Sequence, residues 1–326
     1  MKKLRSFLLI LFSLSCLDHA HATGEEKFLI VTKPVVDLRK EPVDARGAYA
    51  HDDLQETQAL YNEVLRYEAE NKDWYKVEAP EQREFSQLGR WQGYEGWVRK
   101  TSVTFLPRIP KYNSVVSKKT AKIYYAPGRP EKGFLTVSIG TRLKTTGEDG
   151  EHYKVDLADG KTAWILKTDL IGIEKVTKEE LRKNIISTAK LFLGVPYLWG
   201  GRSMLMPEPG PAVTGVDCSG LVSLVYRANN IDIPRDAHEE WMVAEKIPQK
   251  ELKSADLVFV SAKNKFNKIV HVMLFAGGET LLESPETGGV VRVVTFKEKF
   301  GKTRAELAKQ GFIAGGKKVY FGRIVK

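Results

Sequence analysis

Twice in its first half the chain spells out the same sparse β pattern, and then abandons it. Between residues 28 and 106 short apolar runs alternate with turn residues. They are Phe28-Leu29-Ile30-Val31, a second run ended by Pro42, then Asp73-Trp74-Tyr75-Lys76-Val77 and Gly93-Tyr94-Glu95-Gly96-Trp97-Val98. Between 115 and 173 the pattern returns: Ala163-Trp164-Ile165 echoes Gly96-Trp97-Val98, and Asp159-Gly160 is a hairpin turn signal. Short strands at this spacing predict a small barrel. The chain therefore predicts two all-β barrels in tandem, over 27–106 and 112–173, joined near Pro107 and Pro110. Within the first, residues 54–68 leave a helical turn and strands both open.

After Val176 the period changes. Thr177, with Glu180 three residues on, reads as a capping box opening a helix to about Leu193, with Leu181, Ile185, Ala189 and Phe192 on one stripe. A second helix is predicted where Leu221, Val222, Leu224 and Val225 recur at helical spacing before Asn229-Asn230. A short helix from about His238 follows, then strands near 256–260, 269–276, 280–284, 290–296 and 319–324. Helices first and strands later predict an α+β domain over 177–326.

Residues 1–22 read as an export signal: Lys2, Lys3 and Arg5, then a short apolar run, then Ala20-His21-Ala22. Cys16 leaves a lipid anchor open, although Ser13 stands where a lipoprotein signal usually carries leucine. No second apolar stretch could span a bilayer. The formal charge of +10, from 51 Lys+Arg against 41 Asp+Glu, is scattered and meets no nucleic-acid motif. It fits an ordinary soluble surface as well as contact with an anionic wall polymer or membrane.

Removal of the signal would leave one cysteine of the two, so no internal disulfide. That cysteine, Cys218, sits in Gly215-Val216-Asp217-Cys218-Ser219-Gly220-Leu221, where an extended approach turns into a helix. Free backbone N–H groups and the positive end of the helix dipole favour thiolate over thiol there. A buried structural cysteine is the plainer alternative. His271 lies mid-strand, where a satisfied core histidine is the ordinary reading, but imidazole is also the group best suited to take a proton from a thiol. Glu283 follows on the return strand. A three-residue Gly-Gly-Glu loop would put residues 271 and 283 on one face of the hairpin, and a two-residue loop on opposite faces. A carboxylate there could orient the imidazole.

These residues resemble the NlpC/P60 cysteine peptidases. The resemblance rests on Asp217-Cys218-Ser219-Gly220-Leu221, on His271-Val272 before Gly277-Gly278, and on a polar residue twelve after the histidine. Pro196-Tyr197-Leu198-Trp199-Gly200-Gly201, Ile233-Pro234-Arg235 and Asp256-Leu257-Val258 match accessory motifs of the same family. Upstream, the two barrels resemble bacterial SH3-type domains, a layout similar to that of γ-D-glutamyl-L-diamino acid endopeptidases. The resemblance implies an α+β, papain-like core with Cys218 as nucleophile and His271 as general base. Glu283 holds the third position, usually histidine in the family, and Tyr197 would help stabilise the oxyanion. Asp217 and Ser219 would contact the substrate peptide. Glu63, with Tyr94 and Trp97 as aromatic candidates, would hold the free amine of an N-terminal L-Ala. Ala237 replaces a frequent hydroxyl residue, and loop 202–214 is longer than usual.

The implied reaction is cleavage of the γ-D-Glu to diamino acid (diaminopimelate-type) bond of peptidoglycan stem peptides or muropeptides, in the periplasm or cell envelope. It calls for no metal or cofactor. An amidase or acyltransferase on the same core, and a non-enzymatic wall-binding protein, are the alternatives, the latter having no use for a Cys218–His271 pair.

Overall fold

The computed structural model describes residues 26–47, 51–173 and 176–326. The expected export signal and Cys16 lie outside them. Among the described residues no helix is long and apolar enough to cross a membrane.

The first β domain is a seven-stranded antiparallel sheet. Its order is Gln55–Leu60, Val35–Arg39, Trp91–Arg99, Trp74–Phe85, Val64–Asn71, Phe28–Val31 and Val103–Leu106. Strands thus win over the helical turn in residues 54–68, because Leu60 and Leu65 must both point into the core while Asn62, at positive φ, turns the chain between them. The second β domain runs Gly133–Ser138, Thr120–Tyr124, Thr162–Leu166, His152–Asp156, Arg142–Asp149, Ser114–Val116 and Leu170–Gly172. Numbered along the chain within each domain, the strands stand in the same order, so the sequence echo is a repeat of topology.

The C-terminal domain opens with α1 (Lys178–Lys190), capped by Thr177 Oγ1 accepting from the Glu180 N–H. Then come α2 (Cys218–Arg227) and α3 (Ala237–Val243), the latter beginning one residue before the expected His238. A sheet follows in the order Glu245–Lys246, Lys317–Arg323, Leu257–Ala262, Lys265–Gly277, Thr280–Glu283 and Arg292–Thr295. Helix α2 buries Leu221, Val222, Leu224 and Val225 completely, between α1 and the strand Lys265–Gly277. Removing four such side chains from water stabilises the packing by roughly 1.5–3 kcal/mol each.

The three parts do not hang on linkers. Val35, Leu60 and Ile139, from the two β domains, belong to the same apolar cluster as α2. Around this contact runs a buried ionic network. Arg227 of α2 donates to the Gly140 carbonyl (2.9 Å) and pairs with Glu81 (2.7 Å), Asp232 (3.3 Å) and Glu63 (3.5 Å). Arg142 meets Asp232 (2.8 Å) and Glu81 (3.1 Å), and Arg202 meets Glu63 at 2.9 Å. First domain, second domain and C-terminal domain each contribute charges to it.

Candidate active site

Asp217 ends the extended approach and caps α2, its Oδ1 accepting from the Gly220 N–H at 2.6 Å. Gly220 carries no Cβ because one there would run into the Gly201 carbonyl. Cys218 is therefore fixed at the first residue of α2, half-buried and without a disulfide. The backbone of Val272 and of Ser219 favours its thiolate. Val272 follows His271, so the thiol rests against the strand that carries the imidazole.

On that strand the hairpin register decides the geometry. Leu274 pairs Leu282 and Phe275 pairs Leu281, with an irregularity at Gly277. This is the frame of the three-residue loop, with Gly277 and Gly278 both at positive φ, a region cheap only for glycine. His271 and Glu283 accordingly share a face, and His271 Nε2 lies 2.8 Å from Glu283 Oε2. A carboxylate can only accept, so Nε2 carries the proton and Nδ1 is left with its lone pair. Glu283 is fully buried and also accepts from Arg292 (3.0 and 3.2 Å) and Lys299. Burial alone would raise its carboxyl. The hydrogen bond and charge of His271, with those of Lys299, hold it instead at about 2. Burial lowers the His271 imidazole below its ordinary value, Lys299 and Lys317 push the same way, and Glu283 opposes them.

The thiol departs from the expectation. Burial pushes Cys218 up to about 12, Asp217 adds to it, and the backbone of Val272 and of Ser219 only partly compensates. Desolvation outweighs the helix N-terminus, so the resting pair is thiol and neutral imidazole. His271 Nδ1 is then free to accept a proton.

Tyr197 lies on a loop stitched to the approach of α2: Tyr197 N–H donates to the Gly289 carbonyl (2.9 Å), and Val216 N–H to the Pro196 carbonyl (3.1 Å). Burial, then the charges of Asp217 and Cys218, raise its phenol, which keeps it a hydrogen-bond donor. Tyr197 and His271 line one cavity of about 490 Å³.

Three expected substrate contacts have their side-chain groups engaged within the protein. Both Asp217 oxygens are taken up by the protein, accepting from Arg235 (3.0 and 2.8 Å), Gly220 and Gly200. Ser219 Oγ is buried and accepts from Arg235 at 3.1 Å. These side chains brace the turn that carries Cys218. Glu63 is 2% exposed and bound to Arg202, Arg227, the Leu60 N–H (2.7 Å) and Gln82 (3.3 Å). It faces no cleft, and belongs to the ionic network.

The acids that do meet Tyr94 are Asp236 and Glu56, the latter seven residues before Glu63. Tyr94 buries its ring in the first domain's core and sends its hydroxyl outward to Asp236 Oδ2 (3.0 Å) and toward Glu56 Oε2 (3.5 Å). Tyr94, Trp97, Glu56, Glu84 and Glu95 line a pocket of about 200 Å³ with Lys40 and Lys76, the latter paired with Glu95 at 3.0 Å. Desolvation raises the carboxyls of Glu56, Glu84 and Asp236; the charge of Asp236 adds to it at both glutamates and that of Asp217 at Asp236, while Lys40 opposes it at Glu56 and Arg235 at Asp236. Such a cluster gains by taking in a cation. Asp236 adjoins Arg235, whose guanidinium grips Asp217, which caps the helix of Cys218. The acidic pocket is thus tied to the nucleophile through three residues. Sequence reasoning missed Glu56 because strand register, not spacing, turns it outward. It missed Asp236 although the Ile-Pro-Arg motif ends beside it.

With this geometry in view, comparison with known proteins is informative. A family model for the NlpC/P60 family matches residues 194–309. The chain carries an NlpC/P60 domain. A model for the YkfC second SH3b domain matches residues 116–170, the second β domain. A γ-D-glutamyl-L-lysine dipeptidyl-peptidase of Bacillus subtilis is 29% identical over 262 residues, 80% of this chain and 82% of its own length. The protein of that name from Bacillus cereus is also 29% identical, over 73% of this chain and 70% of its own. The crystal structure of an NlpC/P60 family protein from Bacillus cereus superimposes with a TM-score of 0.72 over 92% of this chain and all of that one, at 24% identity. The fold is therefore shared over 92% of the chain. Cys218, His271, Glu283 and Tyr197 all stand within the NlpC/P60 match or its sheet.

Proposed function

We propose that the protein is a cysteine peptidase that cuts the bond between γ-D-Glu and the following diamino acid in peptidoglycan stem peptides with a free N-terminal L-Ala. It would act as an exported enzyme of the periplasm or cell envelope. His271 Nδ1 takes the Cys218 proton as the sulfur attacks the γ-carbonyl. The Tyr197 hydroxyl and the Cys218 N–H receive the oxyanion. The imidazolium, stabilised by Glu283, protonates the departing amine, and water then hydrolyses the thioester with His271 again as base.

The observation that carries the choice of substrate is the bond from Tyr94 of the first β domain to Asp236 of the peptidase domain. With Glu56 and Glu84 beside it, it makes an acidic end wall across a domain interface. A terminal ammonium satisfies that wall. A peptide still joined to muramic acid presents an uncharged amide and a sugar that the wall obstructs. Losing a charge-assisted contact costs about 1.5–3 kcal/mol, roughly ten- to more than a hundredfold. The test is cleavage of L-Ala-γ-D-Glu-diamino acid peptides with free and acetylated amines, products identified by mass. Equal rates on the two would remove the amine pocket. An intact γ-D-Glu bond would remove the reaction.

A further inference from the structure

The catalytic acid must reach the departing nitrogen, so the leaving half of the substrate lies on the His271 side of the thiol. The cavity there shares no lining residue with the acidic pocket. Its walls carry charge of both signs. Glu286, on the loop after the Glu283 strand, is exposed, and its carboxylate has no partner among the described residues; its charge reaches Tyr197. Opposite in sign, Lys317 at the start of the last long strand is exposed, and its ammonium too has no partner among the described residues; its charge reaches His271. Lys299, the third charged group, is partly spent on Glu283. Phe300, Val260 and Val270 provide apolar surface between them.

A cavity with one free acid, one free base and an apolar floor suits a side chain of a few methylenes that ends in both an amine and a carboxylate. We infer that Lys317 and Glu286 select a leaving residue with a zwitterionic end, as in diaminopimelate, over lysine, which has the distal amine alone. Resting on the peptidase reading above, this adds a specificity that the relatives' printed name, with its L-lysine, does not suggest. Lys317 would pair with the distal carboxylate and Glu286 with the distal amine. Both contacts form at a partly open cavity, so each shifts selectivity by about tenfold and not by thousands.

Three substrates decide it: L-Ala-γ-D-Glu followed by meso-diaminopimelate, by the same residue with its distal carboxylate amidated, and by L-lysine. The expected order of kcat/KM puts the first about tenfold above the other two, which resemble each other. Lys317→Ala should bring the three rates together, Lys317→Glu should reverse the order, and Lys317→Arg should keep it. Lys318→Ala, whose ammonium lies over the Tyr320 ring, should keep it as well. Unchanged thermal unfolding of the Lys317 variants, exposed as that residue is, would show that they fold. Equal rates for wild type on all three, or a Lys317→Ala that slows all three alike, overturns the selectivity while leaving the peptidase. Failure to cut any of them, with cleavage elsewhere in digested wall, overturns the peptidase reading itself.

Discussion

Replacing Glu63 with alanine tests whether this acid is part of the site or of the frame. Its carboxylate is 2% exposed and sits between Arg202 and Arg227, themselves 2% and 1% exposed. Truncation leaves Arg202 with no carboxylate partner named in the structure and Arg227 with only Glu81 and Asp232. It also strips the side-chain acceptor from the Leu60 N–H and one of two acceptors from Gln82. Breaking a buried pair by removing one partner costs about 3–5 kcal/mol, mostly the penalty of a charge left without compensation. For a chain of this size that lowers Tm by on the order of 10 °C. Glu63→Gln, which keeps the shape and one acceptor, should lose less. The assay is thermal unfolding followed by circular dichroism, with peptide kinetics on the same samples below the transition. The folded fraction should retain its preference for free over acetylated amines. A Tm within about 2 °C of wild type, together with a higher KM for the free peptide alone, would refute the assignment and return Glu63 to the pocket.

Cys218→Ala should abolish turnover without loss of fold, checked by product mass and circular dichroism; substantial residual cleavage would sink the thioester route. Glu283→Gln should slow kcat by about 10- to 100-fold, since orientation and imidazolium stabilisation weaken while the base remains. The acid limb of kcat/KM should fall below the ordinary imidazole value of about 6.5, because burial lowers His271 and activity needs it neutral. Glu283 opposes that lowering, so Glu283→Gln should move the limb to still lower pH, and a shift upward would contradict the hydrogen bond to Nε2. Tyr94→Phe and Glu56→Gln should each narrow the free-amine preference by about tenfold or more, read as the ratio of kcat/KM for free and acetylated peptides.

Much of the site was legible because its chemistry is local. A capping aspartate, a cysteine and a tolerant glycine must be adjacent to set a thiol at a helix start, and adjacency is what a sequence records. His271 and Glu283 were legible up to the loop length, since side-chain direction in a hairpin hangs on one residue of register. The structure supplies that residue at Gly277. What could not be read were the partners of charges. Glu63 and Glu56 lie on or beside one hairpin seven residues apart, and both are acids with a polar residue immediately before them. One turns in to two arginines from another domain, the other out to a tyrosine. Nothing within the hairpin distinguishes them; the arginines 139 and 164 residues downstream do. The resting state of Cys218 was misjudged for a related reason. A helix terminus is visible in sequence, but the depth at which it lies is set by what packs over it.

The second β domain lines neither the acidic pocket nor the His271 cavity. Yet the Gly140 carbonyl anchors Arg227, and Arg142 grips Asp232 and Glu81 from opposite sides of the first domain's border with the peptidase domain. It works as a bracket, holding two other parts at one angle while touching no ligand. If the acidic wall holds the substrate's amine as proposed, an excised NlpC/P60 domain would be more than a smaller enzyme: it would have an open end where the intact protein has a stop. A blade without its stop cuts at any depth. Stripped of both β domains, the same thiol and imidazole would no longer measure two residues from the amine before cutting.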